Sequence, residues 1–314
     1  MASNEATPAA ATPSAPAPKR RVGERRKFLS TPAIVFLIAV TQVPFAMTIW
    51  YSFTGWNLLH PTSTGFLGWD RMGRNFSRIL SNPDFWTILW NTVFLTGSVV
   101  VLSFVFGMMF ALLLNRPFPG RALARTMLIS PFLVMPVAAA IVWKFLLLDP
   151  SNGLSAWVFR SVLGIQSVYL VEVAPMLSII GIVSWQWIPF VMLILLAGLQ
   201  SLPKEIVEAA QLDGAGPLRM FVNITLPHLR RFIEIALLLE VIFVLSIFGQ
   251  IFVVTSGGPG IQTTNLPYQI FLEAFSSFNI GRASAYGIFA IILASIAMIF
   301  FLQVVRRHRL EGTS

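Results

Sequence analysis

The chain has 314 residues, of which 56% are hydrophobic and only 11% are charged. Soluble domains carry about 25% charged residues, so this composition excludes an ordinary water-soluble domain and predicts a membrane protein. Cysteine is absent, which excludes disulfides, iron–sulfur clusters and cysteine nucleophiles. The net charge of +9 comes from short basic clusters that flank apolar stretches. That arrangement is typical of membrane topology and argues against a nucleic-acid partner.

The N-terminal segment is predicted to be a disordered, basic cytoplasmic tail over residues 1–27. Its first part is rich in Ala, Pro, Ser and Thr and cannot bury a core. The apolar run from Phe28 to Phe53 is longer than the apolar region of a signal peptide and lacks a small-residue cleavage site. We therefore predict that this run is a retained first span and that residues 28–314 form one membrane domain.

Apolar stretches of membrane-spanning length recur along the chain and predict an all-α fold with six transmembrane helices. They cover about 28–53, 87–114, 126–148, 173–199, 232–254 and 283–304. An even number of spans places both termini on one side. That side and its loops hold sixteen Lys and Arg residues, against five on the other side. Because basic residues concentrate in cytoplasmic loops, both termini are predicted to be cytoplasmic.

The longest predicted cytoplasmic loop runs from Ser201 to Arg231 and contains two short helical patterns. Helix-forming residues precede a turn signal at 213–217, after which an apolar stripe continues to Pro227. The spacing of this segment resembles the EAA loop of binding-protein-dependent ABC importer permeases. The residues that carry the resemblance are Glu208, Ala209, Ala210, Asp213, Gly214, Ala215, Leu226 and Pro227. The segment Thr255–Gly260 is similar to the TxGGP signature of the subunit type represented by the larger maltose-permease subunit.

The resemblance implies the type I ABC importer permease fold and a set of partners. In this family the EAA loop docks on a cytoplasmic ATPase. We therefore expect two ATPase subunits, a second homologous permease, an extracytoplasmic substrate-binding protein and membrane lipid around this chain. ATP and Mg²⁺ are expected on the ATPase, because the chain has no GK[ST] phosphate-binding motif. No cofactor, metal or catalytic residue is expected on the chain, and its location is expected to be the bacterial cytoplasmic membrane.

Candidate substrate-pathway residues combine aromatic faces with hydrogen-bonding groups, as recognition of a sugar requires. Trp187 and its neighbours meet this requirement, although an aromatic helix that packs on its neighbours explains the same pattern. Alignment with the family places the following residues along the pathway: Phe132, Val137, Val183, Gln186, Trp187, Phe190, Leu245, Ser246 and Ile247. Polar residues inside spans add Glu240, Gln250 and, less strongly, Asn91. For Glu240, a pathway or gating role and a buried pair with a neighbouring helix both stay open.

The spans lack the extra Arg and Lys that an anionic substrate favours, so a small neutral carbohydrate, either a sugar or a polyol, is the expected substrate. A weak similarity of residues 257–271 to polyol-type permeases agrees with this expectation. An importer for another solute class, such as amino acids or peptides, remains an alternative. An ion-coupled secondary transporter is a further alternative, but it predicts inverted repeats and several charges inside the spans.

Overall fold

The computed structural model describes residues 22–60 and 73–311, with side chains over 31–60, 73–301 and 303. This part of the chain is helical and contains isolated β-bridges at Asn57 but no strand. The helices are α1 (Val22–Ser52), α2 (Arg74–Leu80), α3 (Pro83–Asn115), α4 (Arg121–Leu133), α5 (Pro136–Val142), α6 (Leu154–Trp157), α7 (Leu170–Val173), α8 (Pro175–Gln200), α9 (Lys204–Leu212), α10 (Pro217–Met220), α11 (Leu226–Leu245), α12 (Gly249–Val254), α13 (Leu266–Phe271) and α14 (Ile280–Glu311). Arg71 and residues 1–21 of the predicted tail lie outside the described residues.

The helices extend beyond the apolar stretches that predicted them. Helix α1 begins at Val22 rather than at residue 28, and α14 continues to Glu311 rather than ending at 304. The added residues are largely charged, and Glu, Arg and Lys are good helix formers. Hydropathy detects only the apolar part of such a helix. Four helices of the described chain are long and apolar enough to cross a membrane: α1, α3, α8 and α14.

The third predicted stretch is broken. Helix α4 and the run from Pro136 to Leu147 meet at an angle of 104°, which is the geometry of a broken span or of a re-entrant loop. The run begins with α5 and ends in a π-helical turn, Trp143–Leu147. Met135 is extended (φ −57°, ψ 138°) because the following Pro136 disfavours helical geometry in the residue before it. Pro131 and Pro189 lie inside α4 and α8 instead.

The second helix of the cytoplasmic loop continues into the fifth predicted stretch. Helix α10, a π-helical turn over Phe221–Thr225 and α11 follow one another without interruption from Pro217 to Leu245. The sequence pattern indicated an end at Pro227, but the helix continues through this proline, which follows the π-helical turn closely at the start of α11. In the π-helical turn, Leu226 N donates to Phe221 O. We call this continuous segment, 217–245, the rod.

The rod ends before the fifth stretch does. Ser246 caps α11, its amide donating to Phe243 O, and α12 starts at Gly249. The predicted 232–254 span is therefore α11 and α12 with a break between them. Helix α11 also contains four charged residues, and this charge keeps it from counting as an apolar span on composition.

Helices α3 and α8 form the central packed pair. They approach closely at Gly107, where a Cβ would lie 3.0 Å from Val191 Cγ1 and 3.1 Å from Met192 N. One buried apolar cluster joins α3, α8, α11 and α12 around Val183 and Ile251, and a second joins α3, α8 and α11 nearer the cytoplasmic loop, around Leu195 and Leu229. Contacts divide the chain after Met47, and the unit before that point contains the first part of α1.

Candidate functional site

The EAA-like segment forms helix α9 and a turn whose backbone bonds explain its residue pattern. Gly214 N donates to Gln211 O at 3.0 Å, and Ala215 N donates to Ala210 O at 3.0 Å. These two bonds define a Schellman motif, which requires a left-handed residue directly after the helix cap. Gly214 supplies it with φ +77°, and a Cβ there would meet no heavy atom within 4 Å. Glycine is therefore required by backbone conformation and not by close packing within the chain.

This segment is a surface feature. No residue of α9 or α10 is buried. Leu212 is 89% exposed and Leu218, across the turn, is 76% exposed. Apolar side chains this exposed beside a structured turn are typical of a protein–protein contact. The sequence analysis placed Leu218 in the apolar stripe after the turn but did not single out Leu212, although its position directly before Asp213–Gly214 was a usable signal.

Glu208 faces a polar cavity of about 660 Å³ between α9 and the ends of α3, α4 and α8. Arg121 and Lys204 also line this cavity, but neither forms an ion pair with Glu208 in the described part of the chain. Leu226 and Pro227 lie at the start of α11, directly after Thr225, which also lines this cavity. The predicted coupling residues thus divide between the exposed helix, its turn and the start of α11.

A cluster of four aromatic rings joins α4, α8 and α11. Phe132 lies 5.8 Å from Trp187 and 5.5 Å from Phe190 by ring centroids. Trp187 contacts Phe190 edge-on at 5.4 Å and stacks on Phe243 at 5.5 Å. We call these four residues the aromatic cluster. The predicted residues Phe132, Trp187 and Phe190 do come together, and Phe243, 52% exposed, is a member that the sequence analysis missed.

A chain of amide hydrogen bonds runs through the interior beside the aromatic cluster. Gln250 Nε2 donates to Gln186 Oε1 at 2.8 Å, and Gln186 Nε2 donates to Val134 O at 3.1 Å. Val134 lies at the break between α4 and α5, and Gln250 follows the break between α11 and α12. Both glutamines are buried. The two amides hydrogen-bond to each other and to the carbonyl of Val134, which the break in the helix leaves without a helical partner. Because Gln186 is on α8, these bonds connect the two broken stretches through that helix.

The other predicted pathway residues differ in how deeply they are buried. Val183 and Ile247 are buried in the apolar cluster around Ile251. Leu245 is half-buried, while Ser246 is exposed and donates its hydroxyl to Phe243 O at 2.7 Å. The remaining two lie in opposite settings: Val137 is 45% exposed and Glu240 is 0% exposed.

The segment after α12, residues 255–265, is a partly buried loop held by α3. Asn91 Nδ2 donates to Ile261 O at 2.9 Å and to Thr264 O at 3.1 Å. Leu266 N donates to Thr92 Oγ1 at 3.0 Å. We call residues 255–265 the outer loop. Asn91 thus anchors the outer loop, and the pathway role considered from its polarity stays a prediction.

Residues 103–310 match the family described as binding-protein-dependent transport system inner membrane component. The chain belongs to this family. The matched range contains the rod, the aromatic cluster and the outer loop. The permease therefore has a transport role rather than an enzymatic one, as its relatives do.

Named relatives cover almost the whole permease. The trehalose transport system permease protein SugA of Mycobacterium tuberculosis is 33% identical, over 90% of this chain and 89% of its own. The trehalose/maltose transport system permease protein MalF of Thermococcus litoralis is 35% identical, over 90% and 92%. The permease also shares its fold with a bacterial ABC transporter involved in the import of the acidic polysaccharide alginate. That structure has a TM-score of 0.75 and 23% identity, and the match covers 90% of this chain and 96% of that one.

Proposed function

We propose that this permease and a second, homologous permease form the translocation pathway of an ATP-driven importer for a small neutral carbohydrate. An extracytoplasmic binding protein delivers the sugar or polyol. The observation that carries the proposal is the aromatic cluster, which is partly exposed, borders a buried pair of glutamines and contains no charged side chain. Aromatic faces match the C–H faces of a sugar. The trehalose and maltose systems of the named relatives support this substrate class.

In the proposed topology six spans cross the bacterial cytoplasmic membrane, with both termini in the cytoplasm. The six are α1, α3, the bent pair of α4 and α5, α8, the broken pair of α11 and α12, and α14. This order places α9 inside and the outer loop outside. The absence of cysteine permits a direct test with single cysteines at Gln211 and Gln262. A membrane-impermeant maleimide applied to intact cells should label the cysteine at 262 and spare the one at 211, and the reverse pattern overturns the topology.

The proposed coupling element is the loop 201–231, which docks on one of two ATPase subunits that bind ATP and Mg²⁺. Glu208, Ala209 and Ala210 lie on the docking helix, and Asp213, Gly214 and Ala215 form its Schellman turn. Leu226 and Pro227 begin α11. A displacement of the loop by the ATPase therefore moves the continuous helical rod as well. Exposed Leu212 and Leu218 supply apolar contact area for the ATPase.

A charge reversal tests this coupling role. Glu208→Lys should leave the permease inserted in the membrane, because the side chain is exposed, and should lower ATPase co-purification and uptake together. Glu205→Lys is the matched control: it makes the same charge change on an exposed residue in the first turn of α9. Equal and normal uptake per folded complex in both variants would falsify the coupling assignment.

A pair of tryptophan variants tests the pathway. Trp187 belongs to the aromatic cluster, whereas Trp185 packs edge-on against Trp143 on a different side of α8. Trp187→Phe should raise the KM for carbohydrate uptake severalfold in proteoliposomes, and Trp185→Phe should leave it unchanged. Competition by unlabelled trehalose and maltose, but not by amino acids, identifies the solute class. Inhibition by amino acids alone supports the alternative class of importer.

A further inference from the structure

Glu240 lies on the rod between the cytoplasmic loop and the aromatic cluster. Its side chain is 0% exposed, and α11 packs there against α3, α8 and α14. Phe243 of the aromatic cluster lies three residues farther along the same helix, so the two positions are neighbours on its surface. The carboxyl therefore points into the helix assembly, while the ring beside it faces the proposed pathway.

The hydroxyl of Ser103 on α3 lies beside this carboxyl. Ser103 is also 0% exposed. In the described part of the chain, both carboxyl oxygens and the hydroxyl are buried, and none of the three forms a hydrogen bond. A carboxylic acid can donate to a hydroxyl oxygen, and a hydroxyl can donate in return. The two side chains are thus each other's available partners across the α3–α11 contact.

The charges on the surrounding helices do not neutralise Glu240. Helix α8 has no charged residue, and Asp84 of α3 lies in the first turn at the other end of that helix from Arg116. Arg230 pairs with Glu234 at 3.2 Å, and a rise of about 1.5 Å per residue places it about 15 Å along the axis from Glu240. Arg282 at the start of α14 pairs with Glu273 at 2.6 Å. Arg231, on α11 itself, lies nearly as far away as Arg230.

A carboxylate that is buried without a counter-charge is strongly disfavoured, whereas a neutral acid with a hydrogen-bonding partner is tolerated. We propose that Glu240 is a positioning residue that stays protonated and donates a hydrogen bond to Ser103 Oγ. This bond holds the C-terminal part of α11 against α3 and keeps the two helices from sliding past each other. A movement of the cytoplasmic loop is therefore transmitted along the rod to Phe243. The inference rests on the proposed coupling function.

The test uses the intact transporter complex in proteoliposomes and compares uptake per ATP hydrolysed. Glu240→Gln keeps the shape and a donor without a charge, so it should keep this ratio within about twofold and give the same pH profile as the unmodified complex. Glu240→Ala and Ser103→Ala each remove one partner, so they should lower the ratio by about fivefold or more while ATP hydrolysis persists. Glu234→Gln, on the same helix but paired with Arg230, is the matched control and should behave as the unmodified complex.

Two results overturn the proposal. Loss of uptake in a folded Glu240→Gln complex means that an ionised carboxylate is needed, and an unchanged ratio in Ser103→Ala means that the contact does not position the rod. Ser103→Ala removes only a hydroxyl, so it decides the question even if Glu240→Ala does not fold. Failure of the proposed function itself is distinct, because the unmodified complex would then show no ATP-dependent uptake.

Discussion

The turn at residues 213–217 belongs to the predicted cytoplasmic loop, and we call it the cytoplasmic turn. This turn and the outer loop each contain a glycine in the left-handed region, yet the two glycines are needed for different reasons. Gly214 has φ +77° and open space where a Cβ would stand. Gly257 has φ +83°, but a Cβ there would lie 2.5 Å from Thr264 Oγ1 and 2.7 Å from Tyr268 Cε1. The first turn is closed by bonds to its own helix, and the second is enclosed by side chains of the loop itself and of α13.

The two turns therefore differ in what stabilises them: the cytoplasmic turn is an exposed local structure, whereas the outer loop is held by the rest of the fold. The hydrogen bonds of the cytoplasmic turn are local, and its apolar side chains remain exposed. The outer loop depends on Asn91 and Thr92, far earlier in the chain, and Thr263, Thr264 and Asn265 are almost fully buried. A substitution in the outer loop should therefore lower stability, whereas one in the cytoplasmic turn should lower coupling at nearly constant stability.

The largest expected effect is that of Gly257→Ala. Strain in the left-handed region contributes about 1–2 kcal/mol, and the clash with Thr264 and Tyr268 adds about 1–3 kcal/mol, so the loss of stability should be about 3 kcal/mol. The measurement is the Tm of the purified permease in detergent. A Tm as high as that of Gly214→Ala would contradict the contrast between the two loops.

Asn91→Ala should have the next largest effect on stability. It removes the donor to the buried carbonyl group of Thr264 and to the part-buried carbonyl group of Ile261, at a cost of about 1–3 kcal/mol. Asn115→Ala is the control, because Asn115 is exposed at the other end of the same helix. The Tm should fall in the first variant and stay within error in the second; similar shifts would show that Asn91 does not anchor the loop.

Substitutions at Gly214 should cost about 1 kcal/mol locally and change the global Tm little, because α9 is not part of a buried cluster. The loss of uptake should be smallest for Gly214→Asn, larger for Gly214→Ala and largest for Gly214→Val. Asn tolerates the left-handed region better than Ala, and a β-branched residue tolerates it least. Gly216→Ala is a matched control with φ −69° and open space for its Cβ. A loss of uptake in the control equal to that in Gly214→Ala would rule out backbone conformation as the cause.

The smallest effect on stability belongs to Leu212→Ser and Leu218→Ser, which should change it by no more than about 0.5 kcal/mol because both side chains are exposed. Their effect should appear in the yield of co-purified ATPase, which the double variant should reduce most. Leu59→Ser, at a leucine that is 63% exposed and lies near the end of α1, serves as the control. Undiminished ATPase recovery in the double variant would place the docking contact elsewhere.

The sequence by itself determined the apolar helices and the cytoplasmic turn. Hydropathy depends on composition, and the Schellman turn depends on residues 210–215 alone, so both are local properties. Family membership, carried by the spacing of the EAA-like residues, was confirmed by the match over 103–310. The predicted roles of the individual pathway residues stay predictions, and so does the number of spans that cross the membrane.

Only the tertiary structure decided which polar residues meet. Asn91 and Thr264 are distant in sequence but bonded at the outer loop, and Gln186 reaches both Gln250 and Val134. Phe243 joins the aromatic cluster because α11 presents it to Trp187, which no local pattern specifies. The break after Leu245 and the burial of Glu240 likewise depend on helices that come together only on folding. Hydrogen-bond partners across helices are set by packing geometry, and a single sequence records that geometry only indirectly.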